Sequence, residues 1–251
     1  MRITTIVNKK GGVGKTTTAH ALAAGLSGRG FRPLLIDADP SGNLTYTLGI
    51  DARTGLYDVL RGLNIRKAIH HTPQGDILPS TEALDAADLE FTQQGREYLL
   101  RKALEAVRSD YTHIIIDSPP ELHILTINAL MAATDVIIPM QADIYSLQGL
   151  GRLYDTILKV QKRNKRLKAA GILLTRYQGR AILTRDLTEV IKDKAEQLHT
   201  IVYKTPIREG VAIKEAQTLQ TDLFTSHPRS NSVRDYADFI TEYINQEKEG
   251  I

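Results

Sequence analysis

The segment Lys10-Gly11-Gly12-Val13-Gly14-Lys15-Thr16-Thr17 constrains this chain more than any other. It follows a short apolar run, Ile3 to Val7, and opens an Ala-rich stretch, Thr16 to Leu26. A strand, a glycine-rich turn and a new helix in that order form a phosphate-binding loop. The glycines let backbone N–H groups converge on phosphate oxygens, because no Cβ blocks the approach. The new helix turns its unpaired N–H groups and positive dipole end toward the same anion. Lys15 supplies a point charge for β- and γ-phosphates, and the Thr16 hydroxyl is placed to ligate Mg²⁺. The usual loop begins with Gly six positions before the lysine. Here that position is Lys9, and a second lysine, Lys10, directly precedes Gly11.

Further apolar runs, Pro33 to Ile36, Ile114 to Ile116, Val136 to Ile138 and Ile172 to Leu174, read as buried strands. Helical patterns lie at Glu97 to Val107, Leu183 to Leu198 and Asn231 to Ile244. This alternation predicts an α/β fold with a mainly parallel twisted sheet covered by helices on both faces. With 251 residues and no visible linker or repeat, residues 1–251 read as one domain. Thr54 to Thr92 shows no clear period, because Gly, Pro and polar residues interrupt it.

Two of the strands end in acid. Ile36-Asp37-Ala38-Asp39-Pro40-Ser41-Gly42-Asn43 follows one, and Ile116-Asp117-Ser118-Pro119-Pro120 follows another. Ligands of open parallel sheets sit outside the carboxyl ends of the strands, so both segments are expected to face the phosphate loop. A carboxylate there is costly unless a cation satisfies it, which Mg²⁺ and its waters would do. Taken singly, an Asp after a strand is equally a turn former or helix cap.

Together these segments resemble the ParA/MinD group of P-loop ATPases, whose deviant Walker A motif reads Lys-Gly-Gly-Val-Gly-Lys-Thr-Thr. The resemblance spans Ile3 to about Ile244 and includes Pro139-Met140-Gln141-Ala142 and Ser146-Leu147-Gln148-Gly149-Leu150. It implies that Lys10 reaches a partner's nucleotide when two subunits close over ATP, as an arginine finger does. It also implies that Asp39 orients the attacking water, that Asp37 helps organise the metal shell, and that Asp117 holds Mg²⁺ through water. Ser41 stands where the family usually has Gln. Thr175 and Arg176 match its late strand and turn, and Pro206 and Arg208 match the loop near the adenine. ATP is favoured over GTP, since Asn164-Lys165 continues as Arg166-Leu167 and not as a GTPase signature.

Cysteine is absent, which excludes the iron–sulfur and nitrogenase-reductase-like relatives along with any disulfide or thiolate zinc site. Neither a signal segment nor a membrane-spanning run is visible. The final helix carries Asp235, Asp238 and Glu242, unlike a basic helix that lies on a bilayer. A cytoplasmic, nucleoid-associated protein without a membrane partner is expected. The loop begins at Lys10, so no helix-turn-helix domain is expected ahead of it.

The net charge of +3 conceals an uneven distribution. Arg152 to Arg180 holds nine basic residues and one acid, a net +8, which leaves −5 on the remainder. That is an electrostatic footprint for a polyanion, or else a solvated helix end complementing its dipole. The resemblance implies a short ParA (Soj-like) partition protein that forms an ATP-dependent homodimer, binds DNA non-specifically and answers to a ParB-like partner. Lys162, Arg163, Lys165, Arg166, Arg185, Lys192 and Lys214 are the candidate DNA contacts. Ala212 replaces one family arginine. The alternative is a MinD-like or other ATP-dependent positioning switch acting on a protein cargo or membrane without DNA.

Overall fold

The computed structural model describes residues 1–249; residues 250 and 251, the end of the expected domain, lie outside the described residues. The strands are β1 (Arg2–Ile6), β2 (Pro33–Asp37), β3 (His70–Thr72), β4 (Gly75–Leu78), β5 (His113–Asp117), β6 (Asp135–Met140) and β7 (Lys168–Leu174). The helices are α1 (Lys15–Ser27), α2 (Asn43–Thr47), α3 (Leu56–Leu60), α4 (Ala87–Glu90), α5 (Leu99–Leu104) and α6 (Ile124–Ala132). They continue as α7 (Ile144–Gln161), α8 (Ile182–Gln197), α9 (Val211–Thr218), α10 (Leu223–Ser226) and α11 (Asn231–Glu249).

The strands form one seven-stranded sheet in the order β3-β4-β2-β5-β1-β6-β7. Every pairing is parallel except β3 with β4. The expected α/β architecture is therefore present, with one antiparallel strand at its edge. That edge comes from Thr54 to Thr92, which has no legible period because it folds as short pieces. A helical turn, a tight β3–β4 hairpin and 3₁₀ turns follow one another there. The longer helix expected from Glu97 to Val107 is likewise split, with α5 flanked by 3₁₀ turns.

Side chains alternate across the central strands, and both faces are buried. Val7, Ile36, Ile116, Ile138 and Ile172 enter one core with α3 and α5 to α8. Ile6, Leu35, Ile115, Ile137 and Leu173 enter the other with α1, α9, α10 and α11. Buried strands of this kind carry near-continuous apolar runs, which is what made them legible. On α11, Tyr236, Phe239, Ile240 and Tyr243 are fully buried in the second core. The apolar face of the last helix thus packs on the sheet, and no helix among the described residues is long and apolar enough to cross a membrane.

Candidate functional site

Parallel register decides the centre of the site. Asp37 and Asp117 are the last residues of β2 and β5, and they pair directly across the ladder. Asp117 also pairs with Ile6, the last residue of β1, from which the glycine loop departs. The loop turns through Gly12 (φ 72°) and Gly14 (φ 86°), left-handed conformations that a Cβ would strain. α1 begins at Lys15 with no side-chain cap, so its first N–H groups remain available to an anion. Gly11, Gly12, Gly14, Lys15, Thr16 and Thr17 line a cavity of about 1030 Å³, faced by Asp39, Ser41, Glu121, Arg176 and Lys214.

The two strand-end carboxylates are both fully buried but differ in their partners. Asp37 is saturated by protein donors. Its Oδ2 accepts from the Thr45 N–H (2.8 Å) and hydroxyl (2.7 Å), and its Oδ1 accepts from the Asp39 N–H (3.2 Å). Burial still pushes it up to about 6, against those donors. Neither Asp117 oxygen has a hydrogen-bond partner of ordinary geometry among the described residues. Burial, and then the neighbouring Asp37 charge, raise Asp117 well above the usual carboxylate range, while the Thr16 hydroxyl and Lys15 oppose the rise. Lys15 is itself buried, which lowers its ammonium, although Asp117, Asp39 and Glu121 draw it back up.

An orphaned buried carboxylate beside a threonine hydroxyl suits Mg²⁺. This ion keeps several waters and takes one or two carboxylates plus substrate phosphate oxygens, without an all-protein cage. Asp39 lies on the cavity rim, and its Oδ1 accepts from the Ser41 N–H (2.9 Å) and hydroxyl (2.7 Å). Ser41 thus ties down the carboxylate it follows.

The remaining expected residues separate by role. Val13 is fully buried. Thr175 sits behind the loop, its hydroxyl donating to the Val13 carbonyl (2.8 Å), so it supports the loop from beneath. Arg176 lines the main cavity. Arg208 lines the smaller cavity beside it, with its guanidinium gripped by Asp235 (Nη2 to Oδ1, 2.6 Å). Pro206 lines a neighbouring groove with Tyr177 and Arg180 and touches neither cavity. Lys10 does not line the main cavity either. Its Nζ donates to Asp143 Oδ2 (2.8 Å).

The basic segment is divided by the fold. α7 starts just beyond the carboxyl end of β6 and runs 18 residues, about 27 Å, to the opposite edge of the sheet. Exposed Lys162, Arg163, Lys165 and Arg166 lie there, ahead of β7, with Arg163 paired to Glu97 (2.9 Å). Arg176, Arg180 and Arg185 lie at the carboxyl edge or just beyond it. Lys192 is exposed on α8 and paired to Glu189, while Lys214 lines the main cavity.

Sequence reasoning missed Thr45, which satisfies Asp37, and Gln217, which donates to the Thr17 hydroxyl (3.0 Å). It also missed Asn8 and Asp143, which hold Lys10. Only Asp143 carries a local signal, as the cap of α7 through the Tyr145 and Ser146 N–H groups.

A family model described as an AAA domain matches residues 1–169. The chain is 40% identical over 250 residues to the sporulation initiation inhibitor protein Soj of Bacillus subtilis, with 96% of this chain and 97% of that one covered. It is 44% identical over 254 residues to the chromosome partitioning protein ParA of Myxococcus xanthus, covering 98% and 89%. Among solved structures, cobyrinic acid a,c-diamide synthase from Mycobacterium smegmatis, with a bound ATP analogue and magnesium, superimposes with a TM-score of 0.88. That protein is 33% identical, and the match covers 100% of this chain and 97% of that one.

Proposed function

This chain belongs to the ParA/Soj family of chromosome-partitioning ATPases, and from that premise we propose that it is a DNA-segregation ATPase. It binds and hydrolyses Mg-ATP, closes as a sandwich dimer on ATP, binds DNA non-specifically and responds to a ParB-like partner. The observation that carries the nucleotide chemistry is Asp117, a buried carboxylate beside Lys15 and Thr16 whose oxygens have no hydrogen-bond partner of ordinary geometry among the described residues.

Each residue has a physical task. The N–H groups of Gly11 to Thr17 and the Lys15 ammonium hold the β- and γ-phosphates. Thr16 and, through water, Asp117 would hold Mg²⁺, which when bound neutralises charge on those phosphates. Asp37, saturated by Thr45 and the Asp39 N–H, fixes the strand end from which Asp39 projects. Asp39 orients the attacking water so that ATP and water give ADP and phosphate. Lys10 contributes across the dimer, where its charge acts on the partner's phosphates. Thr175 and Arg208 shape the base side of the cleft from behind.

The positive surface supports DNA binding. Lys162, Arg163, Lys165 and Arg166 are exposed together in one turn. Arg185, Lys192 and Lys214 belong to other surfaces, so the turn is the strongest part of the footprint. Division of the basic segment between two edges of the sheet favours a second reading, an ATP-dependent positioning switch for a protein cargo without DNA.

DNA binding measured without nucleotide, with ADP and with ATP across a salt series separates the two. The first reading expects ATP-dependent binding that weakens steeply with salt through counterion release. It also expects that neutralising the four residues of the turn abolishes DNA binding while ATP binding is retained. Absence of ATP-dependent DNA binding refutes it in favour of the protein-cargo reading.

A further inference from the structure

We propose that Asp143 is a positioning residue that latches Lys10 in a resting rotamer on the first turn of α7. Closure of two ATP-loaded protomers then has to break one latch in each. The inference rests on the dimer reading above and adds a cost that the protein places on closure.

The backbone at Lys10 is fixed. Its N–H donates to Asn8 Oδ1 (3.0 Å), and Asn8 Nδ2 donates to the Pro139 carbonyl at the end of β6 (2.7 Å). Rotation of the Lys10 side chain alone therefore decides where its charge lies. At present the ammonium donates to Asp143 Oδ2 (2.8 Å), with Ser146 Oγ at 3.4 Å. All of its glycine-loop neighbours except buried Val13 line the phosphate cavity, and Lys10 does not.

The Asp143 carboxylate divides two tasks between its oxygens. Oδ1 caps α7, accepting from the N–H groups of Tyr145 (3.0 Å) and Ser146 (2.9 Å). Oδ2 takes Lys10 and the Ser146 hydroxyl (2.9 Å). Releasing Lys10 thus leaves the helix cap and the Ser146 bond in place, so the latch opens without unwinding α7. The pair is reversible by its setting, since the Lys10 and Asp143 side chains are 37% and 30% exposed. An ion pair that accessible is worth only about two- to fivefold in an equilibrium constant. Because each dimer releases two, the combined effect on dimerisation is roughly four- to twenty-five-fold.

Asp143→Asn tests this, because Asn caps a helix about as well as Asp but cannot hold the ammonium by charge. Asp143→Ser, another good cap, serves if the first variant folds poorly. Thermal melts report the cap. Sedimentation equilibrium, with Mg²⁺ and a non-hydrolysable ATP analogue, reports dimerisation. The expected result is a melting temperature lowered by no more than about 1–4 °C, the worth of one exposed pair with the cap retained, together with roughly four- to twenty-five-fold tighter dimerisation. Ser146→Ala, which spares the ion pair, should dimerise like the parent.

Dimerisation of the parent with no gain, or a loss, in Asp143→Asn overturns the latch and leaves the dimer reading standing. An equal gain in Ser146→Ala overturns it too, because the cause would then be a loosened first turn. A parent that forms no nucleotide-dependent dimer overturns both.

Discussion

Asp117→Asn should make the ligand-free protein more stable while disabling its response to Mg-ATP. Asp117 is fully buried at the end of β5, neither of its oxygens has a hydrogen-bond partner of ordinary geometry among the described residues, and Asp37 lies opposite it in the ladder. An unsatisfied buried polar group costs about 1–3 kcal/mol, and more when charged. The amide keeps the shape of the side chain and removes the charge. For a chain of this size 1 kcal/mol corresponds to about 2–4 °C, so the melting temperature near pH 7.5 should rise by roughly 3–10 °C.

The pH profile supplies a second signature. Asp37 and Asp117 both bind protons more tightly in the native state, so the stability these two groups contribute falls as pH rises from about 3.8. For Asp37 the loss is complete above about 6 and amounts to about 3 kcal/mol. Asp117→Asn should flatten this decline by deleting one of the two groups. Thermal melts of parent and variant between pH 5 and 8, with and without Mg-ATP, check both effects. The reasoning fails if the variant melts at or below the parent without ligand, or if it keeps the parent's full Mg²⁺-dependent stabilisation.

Lys15→Gln removes the cation at the centre of the cavity and should abolish nucleotide binding by titration calorimetry, with thermal stability not reduced, since burial already disfavours that charge. Asp39→Ala should leave an ATP-bound dimer intact while lowering hydrolysis by at least about tenfold; normal phosphate release would remove Asp39 from the water-orienting role. Gly171→Ala tests the packing of β7. A Cβ there would lie 2.7 Å from the ring of Tyr203, which is buried and stacked edge-on against Phe239. Overpacking of this kind costs about 1–3 kcal/mol, so a denaturant midpoint equal to the parent's would show that the ring moves freely.

The chemistry of the loop and of both strand ends was legible in the sequence because each is written in consecutive residues. Glycines stand directly before Lys15-Thr16, and acids close the apolar runs at Asp37 and Asp117. The register then sets Asp117 beside the strand from which the loop departs, and Asp37 beside Asp117. The same holds for the five strands named from β-branched and Leu runs, since strands buried on both faces carry an unbroken apolar signal. The β3–β4 hairpin carried no such signal. Its strands have three and four residues, and their place at the sheet edge comes from pairing with β2, remote in sequence.

Tertiary structure decided how the legible residues divide the work. Register placed Asp37 opposite Asp117, and Thr45, eight residues from Asp37, gave that carboxylate two donors, while Asp117 has no hydrogen-bond partner of ordinary geometry among the described residues. Thr175 became a brace under the loop because β7 ends behind Val13. The direction and length of α7 carried Lys162 to Arg166 to the edge opposite the phosphate site, separating charges that are contiguous in the chain. Lys10 was brought to Asp143, 133 residues away, by the side-by-side placement of β1 and β6. Residue types and their local order specify which chemical groups are present. Their partners depend on strand order, register and helix direction, which arise only when the whole core packs.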